Sequence, residues 1–256
     1  MSEVVRETKN LLFKQNRIYK NLISELKKNN VILVKPEDLS KNEKVKLKNI
    51  FSEEIYPLLT PSAIDPAHPF PFIVNQGRAV VMKLKKKNKK RLLNSIIVIP
   101  KALSRFIEID GGKNFKKYVI IDDVISFFSS EIFPDHNLES KMIFRVIRDS
   151  DVEIQEEAED LVRSFELALK RRRIGDIVRL EVIKNSNKDL IKFITNKLEV
   201  NSEYIYETEG LVGIQDIDQI CKLKNSKLRF IKFNPREVDR LKAVSYTHLR
   251  AHETLP

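Results

Sequence analysis

The fold class is decided by the stretch RAVVMKLKKKNKKRLLNSIIVI, residues 78–99. It contains two runs rich in β-branched and aliphatic side chains, at 78–84 and 94–99, on either side of a turn dense in lysine. Such runs around a polar turn are typical of paired strands. Two more strand-like runs lie within residues 105–121 and flank the sequence DGG, which is a hairpin signal. The centre of the chain is therefore expected to form strand pairs.

Helices interrupt these strand pairs. Residues 3–28 carry a largely apolar stripe at three- and four-residue spacing, and Ser40 with Glu43 forms a capping-box pattern before a second helix. Asp122 is expected to cap a helix that runs to Phe133. Further helices are expected at 155–173 and 188–198, and further strands at 31–34, 142–148, 177–183 and 204–206. Because the order lacks a regular βαβ alternation, the predicted class is α+β, an N-terminal helix followed by a mixed helix/strand domain.

The segment between the second helix and the first strand pair is rich in proline. Residues 57–76 hold five of the ten prolines in the chain. Each proline fixes its own φ and keeps the preceding residue out of the helical region, so we expect an ordered, extended loop. Phe70 and Phe72 are expected to be buried and to anchor this loop.

Composition limits the class of protein and its partners. The chain has 256 residues and a net charge of +11, with 47 Lys and Arg against 36 Asp and Glu. This balance favours anionic partners but does not choose among nucleic acid, polyphosphate, nucleotide and an acidic membrane surface. No apolar run approaches the roughly 20 residues that span a bilayer, and the N-terminus lacks the apolar region of a secretory signal. Cys221 is the only cysteine, which excludes an internal disulfide. We expect a cytoplasmic protein.

No familiar catalytic or metal signature is present, so no catalytic residue and no metal ligand is predicted. The six glycines form neither a phosphate loop nor a dinucleotide fingerprint, and there is no HExxH motif. His68, in the proline-rich loop, could accept a phosphoryl group, but a histidine that hydrogen-bonds the loop backbone is the favoured interpretation. His136 is interpreted as an ordinary loop residue.

Several basic residues could contact a chain of phosphates. The candidates are Arg145 and Arg148 on a predicted strand and Arg171, Arg172 and Arg173 at the end of a predicted helix. Local salt bridges and the helix dipole are the alternative roles for these arginines. The lysine-rich run at 83–91 could also contact phosphates, but a solvated hairpin turn is the favoured interpretation. Tyr204 and Tyr206 could stack bases but are expected to pack a strand face.

The final residues, 244–256, differ from the rest of the chain. They have no apolar periodicity and resemble translated sequencing-adapter read-through. We therefore expect an artefactual tail that belongs neither to the fold nor to the site.

A resemblance to a known family goes further than these patterns. FSEEIYPLLTPSAIDPAHPFPFIVN (51–75) resembles a signature of bacterial polyphosphate kinases, of the type that phosphorylates itself on histidine. The similarity continues, in order, through IPKALSRFIEID (99–110), YVIIDDVISFF (118–128), FRVIRDSDVEIQEEAEDL (144–161), RRRIGDIVRLEV (171–182) and YETEGLVGIQDI (206–217). The order and the long proline-rich motif make the resemblance specific.

The resemblance carries expectations about domains and reaction. It implies that residues 1–30 are the last helix of the family's N-terminal domain and that 31–243 are its head, or middle, domain. The family transfers the terminal phosphate of ATP reversibly to long-chain polyphosphate through a phosphohistidine. Its reactive histidine and its metal- and nucleotide-binding residues have no matching position here. The full-length enzyme would use ATP and Mg²⁺, whereas this fragment is expected to bind neither and to be inactive alone.

The expected partners follow from the same resemblance. They are polyphosphate, ATP and ADP through the missing domains, and further copies of the chain in a homodimer or higher homo-oligomer. At most a peripheral membrane contact is expected. The alternative is a basic nucleic-acid-binding or dimerisation module without catalysis, although no recognisable nucleic-acid reader is present in the sequence.

Overall fold

The structure is a computed structural model that describes residues 3–64, 70–87, 92–109, 115–149 and 175–221, together with Leu228 and Phe233. The chain divides into two compact units, Met1–Ile220 and Cys221–Pro256. The fold described below is that of the first unit. His68, the DGG turn, the predicted helix at 155–173 with its three arginines, and the tail at 244–256 lie outside the described residues.

Helices and strands alternate irregularly along the first unit, as an α+β class requires. The helices are α1 (Glu3–Lys28), α2 (Lys41–Ile50), α3 (Ile121–Phe127), α4 (Ser129–Ile132), α5 (Lys188–Lys197) and α6 (Asp218–Cys221), which ends one residue into the second unit. The strands are β1 (Val31–Leu33), β2 (Pro61–Ile64), β3 (Arg78–Lys86), β4 (Leu92–Ile99), β5 (Phe106–Ile109), β6 (Lys116–Ile120), β7 (His136–Arg148), β8 (Ile177–Ile183) and β9 (Ile205–Thr208). Short 3₁₀ turns occupy Pro36–Asp38, Tyr56–Leu58, Ser202–Tyr204 and Ile214–Ile217.

The larger sheet has six strands in the order β2-β4-β3-β7-β8-β9. Its centre is antiparallel, with β3 pairing β4 on one side and β7 on the other, which confirms the predicted strand pair at 78–99. The last pair, β8 and β9, is parallel. A parallel pair needs a crossover connection, and α5 lies in this connection.

The smaller sheet has the order β1-β6-β5. β5 and β6 are antiparallel, which confirms the second predicted strand pair, and β1 joins β6 in parallel.

The core lies on both faces of the larger sheet. Along β3, Val80 and Met82 belong to a buried cluster with side chains of α2, α3 and the smaller sheet, whereas Ala79 and Val81 belong to a second cluster with side chains of α5. Successive side chains of a strand point to opposite faces, so one strand contributes to both clusters. Such strands read as near-continuous apolar runs, as observed at 78–84.

The segment that precedes the larger sheet begins with the local feature that the sequence predicts. The Ser40 and Glu43 capping box is present, with the Ser40 backbone N–H donating to Glu43 at 2.9 Å. After α2, the chain makes one π-helical turn at Phe51–Ile55 and one 3₁₀ turn that contains Pro57. The predicted extended loop then includes an edge strand, β2, which begins at Pro61. Proline is tolerated at the first residue of an edge strand because no ladder donor is lost there.

Three local predictions are wrong. His136, interpreted as a loop residue, is the first residue of β7 and pairs with Lys86. Phe72 is not buried, since its side chain is 51% exposed and lies against Arg148, with the guanidinium carbon 4.8 Å from the ring centre. Ile73 takes the buried position instead, because neighbouring residues of an extended segment point to opposite sides. Phe70 is half-buried, and it packs against the apolar cluster that contains Ala79 and Val81.

Asp122 does not cap a helix. α3 begins at Ile121, its N-terminus has no side-chain cap, and it ends at Phe127 rather than continuing to Phe133. The Asp122 side chain is buried and bonds two arginines, as described below. Charged donors hold a buried carboxylate more strongly than the local backbone would.

α1 coincides with the predicted helix and docks on the end of the sheet. Thr208 of β9 donates to Asn16 at 2.8 Å, and Lys20 forms an ion pair with Glu209. Burial raises the pKa of Tyr19 on the same docked side. No helix in the described part of the chain is long and apolar enough to cross a membrane.

Candidate functional site

Two arginines and two aspartates form a cluster beside the sheet, and two of the four, Arg105 and Asp122, are buried. Asp122 of α3 accepts from Arg78 through one carboxylate oxygen and from Arg105 through the other, the second bond measuring 2.6 Å. Asp216 accepts from Arg105 at 2.8 Å and lies 3.2 Å from Nε of Arg78. We call these four residues the paired cluster. Two positive charges face two negative charges, so the cluster is balanced.

Burial affects the ionisation of Arg78 in this cluster. Burial lowers the pKa of the Arg78 guanidinium, while Asp122 and Asp216 act in the opposite direction. The carboxylates thus offset the cost of removing the arginine from water. With both carboxylates engaged by arginines, the arrangement indicates a structural role, joining β3, α3, the residue before β5 and the 3₁₀ turn at Ile214–Ile217.

Gly213 connects this cluster to a second one. Its carbonyl accepts from Arg105 at 3.1 Å, and its N–H donates to Glu181 at 3.1 Å. Its φ is +68°, and an added Cβ would lie 2.9 Å from Cδ of Arg145. Both the left-handed backbone and this close approach require glycine.

The second cluster surrounds Glu181 on β8. Arg145 of β7 donates to both Glu181 oxygens at 3.4 Å and to Gln215 at 2.7 Å, and Arg179 forms a further ion pair with Glu181. Arg145 and Glu181 are both 5% exposed. The amide of Gln215 donates in turn to Gln76 at 3.1 Å. Two arginines here face one carboxylate, so this cluster keeps one positive charge.

A cavity of about 340 Å³ opens beside the second cluster, and we call it the α1 pocket. It is lined on one side by α1, through Leu12 and Gln15, and on the other side by strands β7, β8 and β9. The remaining lining residues are Gln76, Arg145, Ile147, Arg179, Glu181, Tyr206, Thr208, Leu211, Gly213, Ile214 and Gln215.

The two arginines of the α1 pocket have unused hydrogen-bonding capacity. Within the described residues, Nε of Arg145 and Nε of Arg179 are buried and have no hydrogen-bond partner. Arg105, which does not line the pocket, shares this property. An unmet buried donor costs roughly 1–3 kcal/mol, and more for a charged group.

Tyr206 lines the α1 pocket beside Arg179. Its ring is 5% exposed, with the Arg179 guanidinium 5.2 Å from its centre and Nζ of Lys9 at 5.7 Å. These are cation–π distances. Tyr206 thus lies on strand β9, whereas Tyr204, for which the same position was expected, lies in the preceding 3₁₀ turn.

The structure separates the arginines that the sequence grouped together. Arg145 lines the pocket, whereas Arg148 donates to the carbonyls of Ile73 and Gly175 at 3.0 and 2.9 Å and stacks on Phe72. Burial lowers the pKa of Arg148. Arg171, Arg172 and Arg173 lie outside the described residues. Of the candidates that are described, Arg145 lines the α1 pocket and Arg148 does not.

Sequence reasoning missed Arg179, Glu181 and Gln215. A signal existed for the first two, because residues two apart on a strand share a face, and 179 and 181 lie on the correctly predicted strand at 177–183. No local pattern identified Gln215, which reaches Arg145 only because the Gly213 turn brings it there. In the described part of the chain, no group of three His, Cys, Asp or Glu could hold a metal ion.

Comparisons with known proteins identify both the fold and the family of the chain. Over 94% of this chain, the fold matches the crystal structure of polyphosphate kinase from Porphyromonas gingivalis, with a TM-score of 0.72 at 18% identity, and this covers 35% of that chain. The family model described as "Polyphosphate kinase middle domain" matches residues 42–220. The chain therefore belongs to the polyphosphate kinase family and carries its middle domain.

Individual relatives agree with this assignment. A polyphosphate kinase of Erythrobacter litoralis is 36% identical over 241 residues, which is 94% of this chain and 33% of the relative. A polyphosphate kinase of Dictyostelium discoideum is 30% identical over 242 residues, 93% of this chain and 23% of the relative. The chain thus spans a third or less of the length of these two relatives.

Proposed function

We propose that the chain contributes the middle domain of an ATP:polyphosphate phosphotransferase. That enzyme reversibly transfers the terminal phosphate of ATP to long-chain polyphosphate through a phosphohistidine. The observation that carries the proposal is 36% identity, over 94% of the chain, to a protein named polyphosphate kinase. The positively charged second cluster beside a cavity supports a role in contacting the polyanion.

The catalytic groups are proposed to lie in the part of the enzyme that this chain does not match. The chain covers 33% of the Erythrobacter relative, so two thirds of that relative have no counterpart in it. ATP and Mg²⁺ would bind in the full-length enzyme, which would act in the cytoplasm as a homodimer or higher homo-oligomer. Arg145, Arg148 and Arg171 to Arg173 remain the proposed polyphosphate contacts, with Arg145 favoured by its place in the α1 pocket.

We predict that this chain alone does not transfer phosphate. Phosphoryl transfer needs a nucleophile, metal-held phosphates and charge-neutralising donors in one place. The measurement is incubation with γ-labelled ATP and Mg²⁺, followed by detection of label on the protein and on added polyphosphate. Label retained on His68 would contradict the assignment of the nucleophile to another part of the enzyme.

We predict that the chain binds polyphosphate and that this binding weakens steeply with salt. Each phosphate contact releases condensed counterions, so an ionic interface loses affinity as salt rises from about 50 to about 200 mM. Titration of long-chain polyphosphate at these two concentrations tests the prediction. Single-stranded DNA of matched charge is the control, and tighter binding of DNA would favour the nucleic-acid module instead.

A further inference from the structure

We propose that the α1 pocket is a specific site for the terminal phosphoryl groups of a phosphate chain. In this site Arg145 and Arg179, which both line the pocket, hold the phosphate oxygens through their guanidinium groups. The proposal deepens the proposed function and rests on it for the identity of the polyanion. The site chemistry itself is argued from the pocket.

The donors of the two arginines are the first argument. Arg145 is only 5% exposed. Its hydrogen bonds to the two Glu181 oxygens are long, at 3.4 Å. Its strongest bond goes to the neutral oxygen of Gln215, at 2.7 Å. Arginine presents five N–H donors in a planar fork that matches phosphate oxygens. The three terminal oxygens of a phosphoryl group can accept hydrogen bonds from this fork.

The charge balance is the second argument. Glu181 already accepts from Arg145, Arg179 and the N–H of Gly213, so its own charge is engaged. It is the only carboxylate among the pocket-lining residues and opposes two guanidinium groups. Lys9 lies beside Tyr206 as a third cation. Lys9 and Glu207 both line an adjoining cavity, where their charges offset each other. The pocket therefore keeps a net positive charge and favours an anion.

Size and shape decide which part of the polyanion enters. About 340 Å³ is near the lower end of the roughly 300–1,000 Å³ found for small-ligand sites. A compact group such as a chain end suits this volume. The only aromatic side chain of the lining, Tyr206, is covered by Arg179 and Lys9, which leaves it poorly placed to stack a nucleobase. These features favour phosphate over nucleotide.

The test is calorimetric titration of the whole 256-residue chain with tripolyphosphate. Arg179→Lys keeps the charge but removes the planar fork and the Nε–H donor, so nonspecific attraction predicts no change. We expect affinity to fall about tenfold or more, since hydrogen bonds to charged groups contribute on that scale. The matched control is Arg17→Lys, an exposed arginine of α1, for which affinity should stay at the wild-type value.

A second variant keeps the test decisive if Arg179→Lys melts at a lower temperature. Gln15 is exposed and lines the pocket mouth, so Gln15→Glu introduces a negative charge there without removing a buried contact. Affinity for tripolyphosphate should again fall, and more than in Asn21→Asp, which adds the same charge at another exposed position of α1.

The outcomes separate this proposal from the proposed function. Unchanged affinity in both Arg179→Lys and Gln15→Glu would overturn the site, while continued polyphosphate binding by the wild-type chain would leave the proposed function standing. Orthophosphate binding as tightly as tripolyphosphate would overturn the assignment to a chain end. Absence of any polyphosphate binding by the wild-type chain would count against the proposed function itself.

Discussion

Replacing Asp122 with alanine should lower the free energy of unfolding by about 3–5 kcal/mol, because breaking a buried ion pair leaves its partner charge uncompensated. Asp122 accepts from Arg78 and Arg105 at once, and its side chain is 3% exposed. The substitution leaves two buried guanidinium groups to share Asp216, whose side chain is 32% exposed. The whole paired cluster is therefore expected to loosen.

Urea denaturation followed by circular dichroism measures this effect. Asp123→Ala is the matched control, since it removes the same side chain one residue along α3. Asp123 is 33% exposed, lies 3.7 Å from Lys141, and has a pKa raised by burial, so its ionised form gains little from the fold. We expect a change under about 1 kcal/mol there. Equal losses in the two variants would show that the paired cluster does not stabilise the domain.

Replacing Phe51 with alanine should cost about 3–5 kcal/mol of unfolding free energy, the usual range for a buried phenylalanine. Its side chain is 1% exposed and sits in the π-helical turn after α2. The ring stacks on Phe128 at 4.4 Å between centres and contacts Tyr56 at 5.8 Å. Alanine would leave a cavity where α2 packs against the segment that joins α3 to α4.

Phe72→Ala is the contrasting variant for the same measurement. Its ring is 51% exposed and makes a cation–π contact with Arg148, which is worth about 0.5–1 kcal/mol at an exposed site. We expect a loss of about that size. A loss near that of Phe51→Ala would restore the sequence-based expectation that this ring anchors the proline-rich loop.

Binding of phosphate chains should respond to a different set of residues from those that set stability. The paired cluster lies on one side of Gly213 and the α1 pocket on the other. Conservative changes at Arg179 are expected to alter affinity, whereas changes at Asp122 are expected to alter the unfolding transition. Measuring both properties in both variants tests whether Gly213 transmits a disturbance between the two clusters.

Local elements were predictable because their signals lie within a few residues. The capping box needs only Ser40 and Glu43, and the strand pairs need only apolar runs around polar turns. The strand at 177–183 was identified with its observed bounds. The expectation for Phe72 failed because hydrophobicity does not say which of two adjacent residues faces inward in an extended segment.

The α+β class, the N-terminal helix, most strand positions and, through the ordered motifs, the family can be predicted from the sequence. The partners of the buried charges cannot, because they are set by the packing of distant elements. Asp122 meets Arg105 across 17 positions of sequence, and Arg145 meets Gln215 across 70. Such pairs have no local periodicity, because the packing of distant elements creates them, and each side chain alone reads equally well as a cap or a surface charge. The α1 pocket exists for the same reason, as a space that only the docked helix and the sheet edge enclose together.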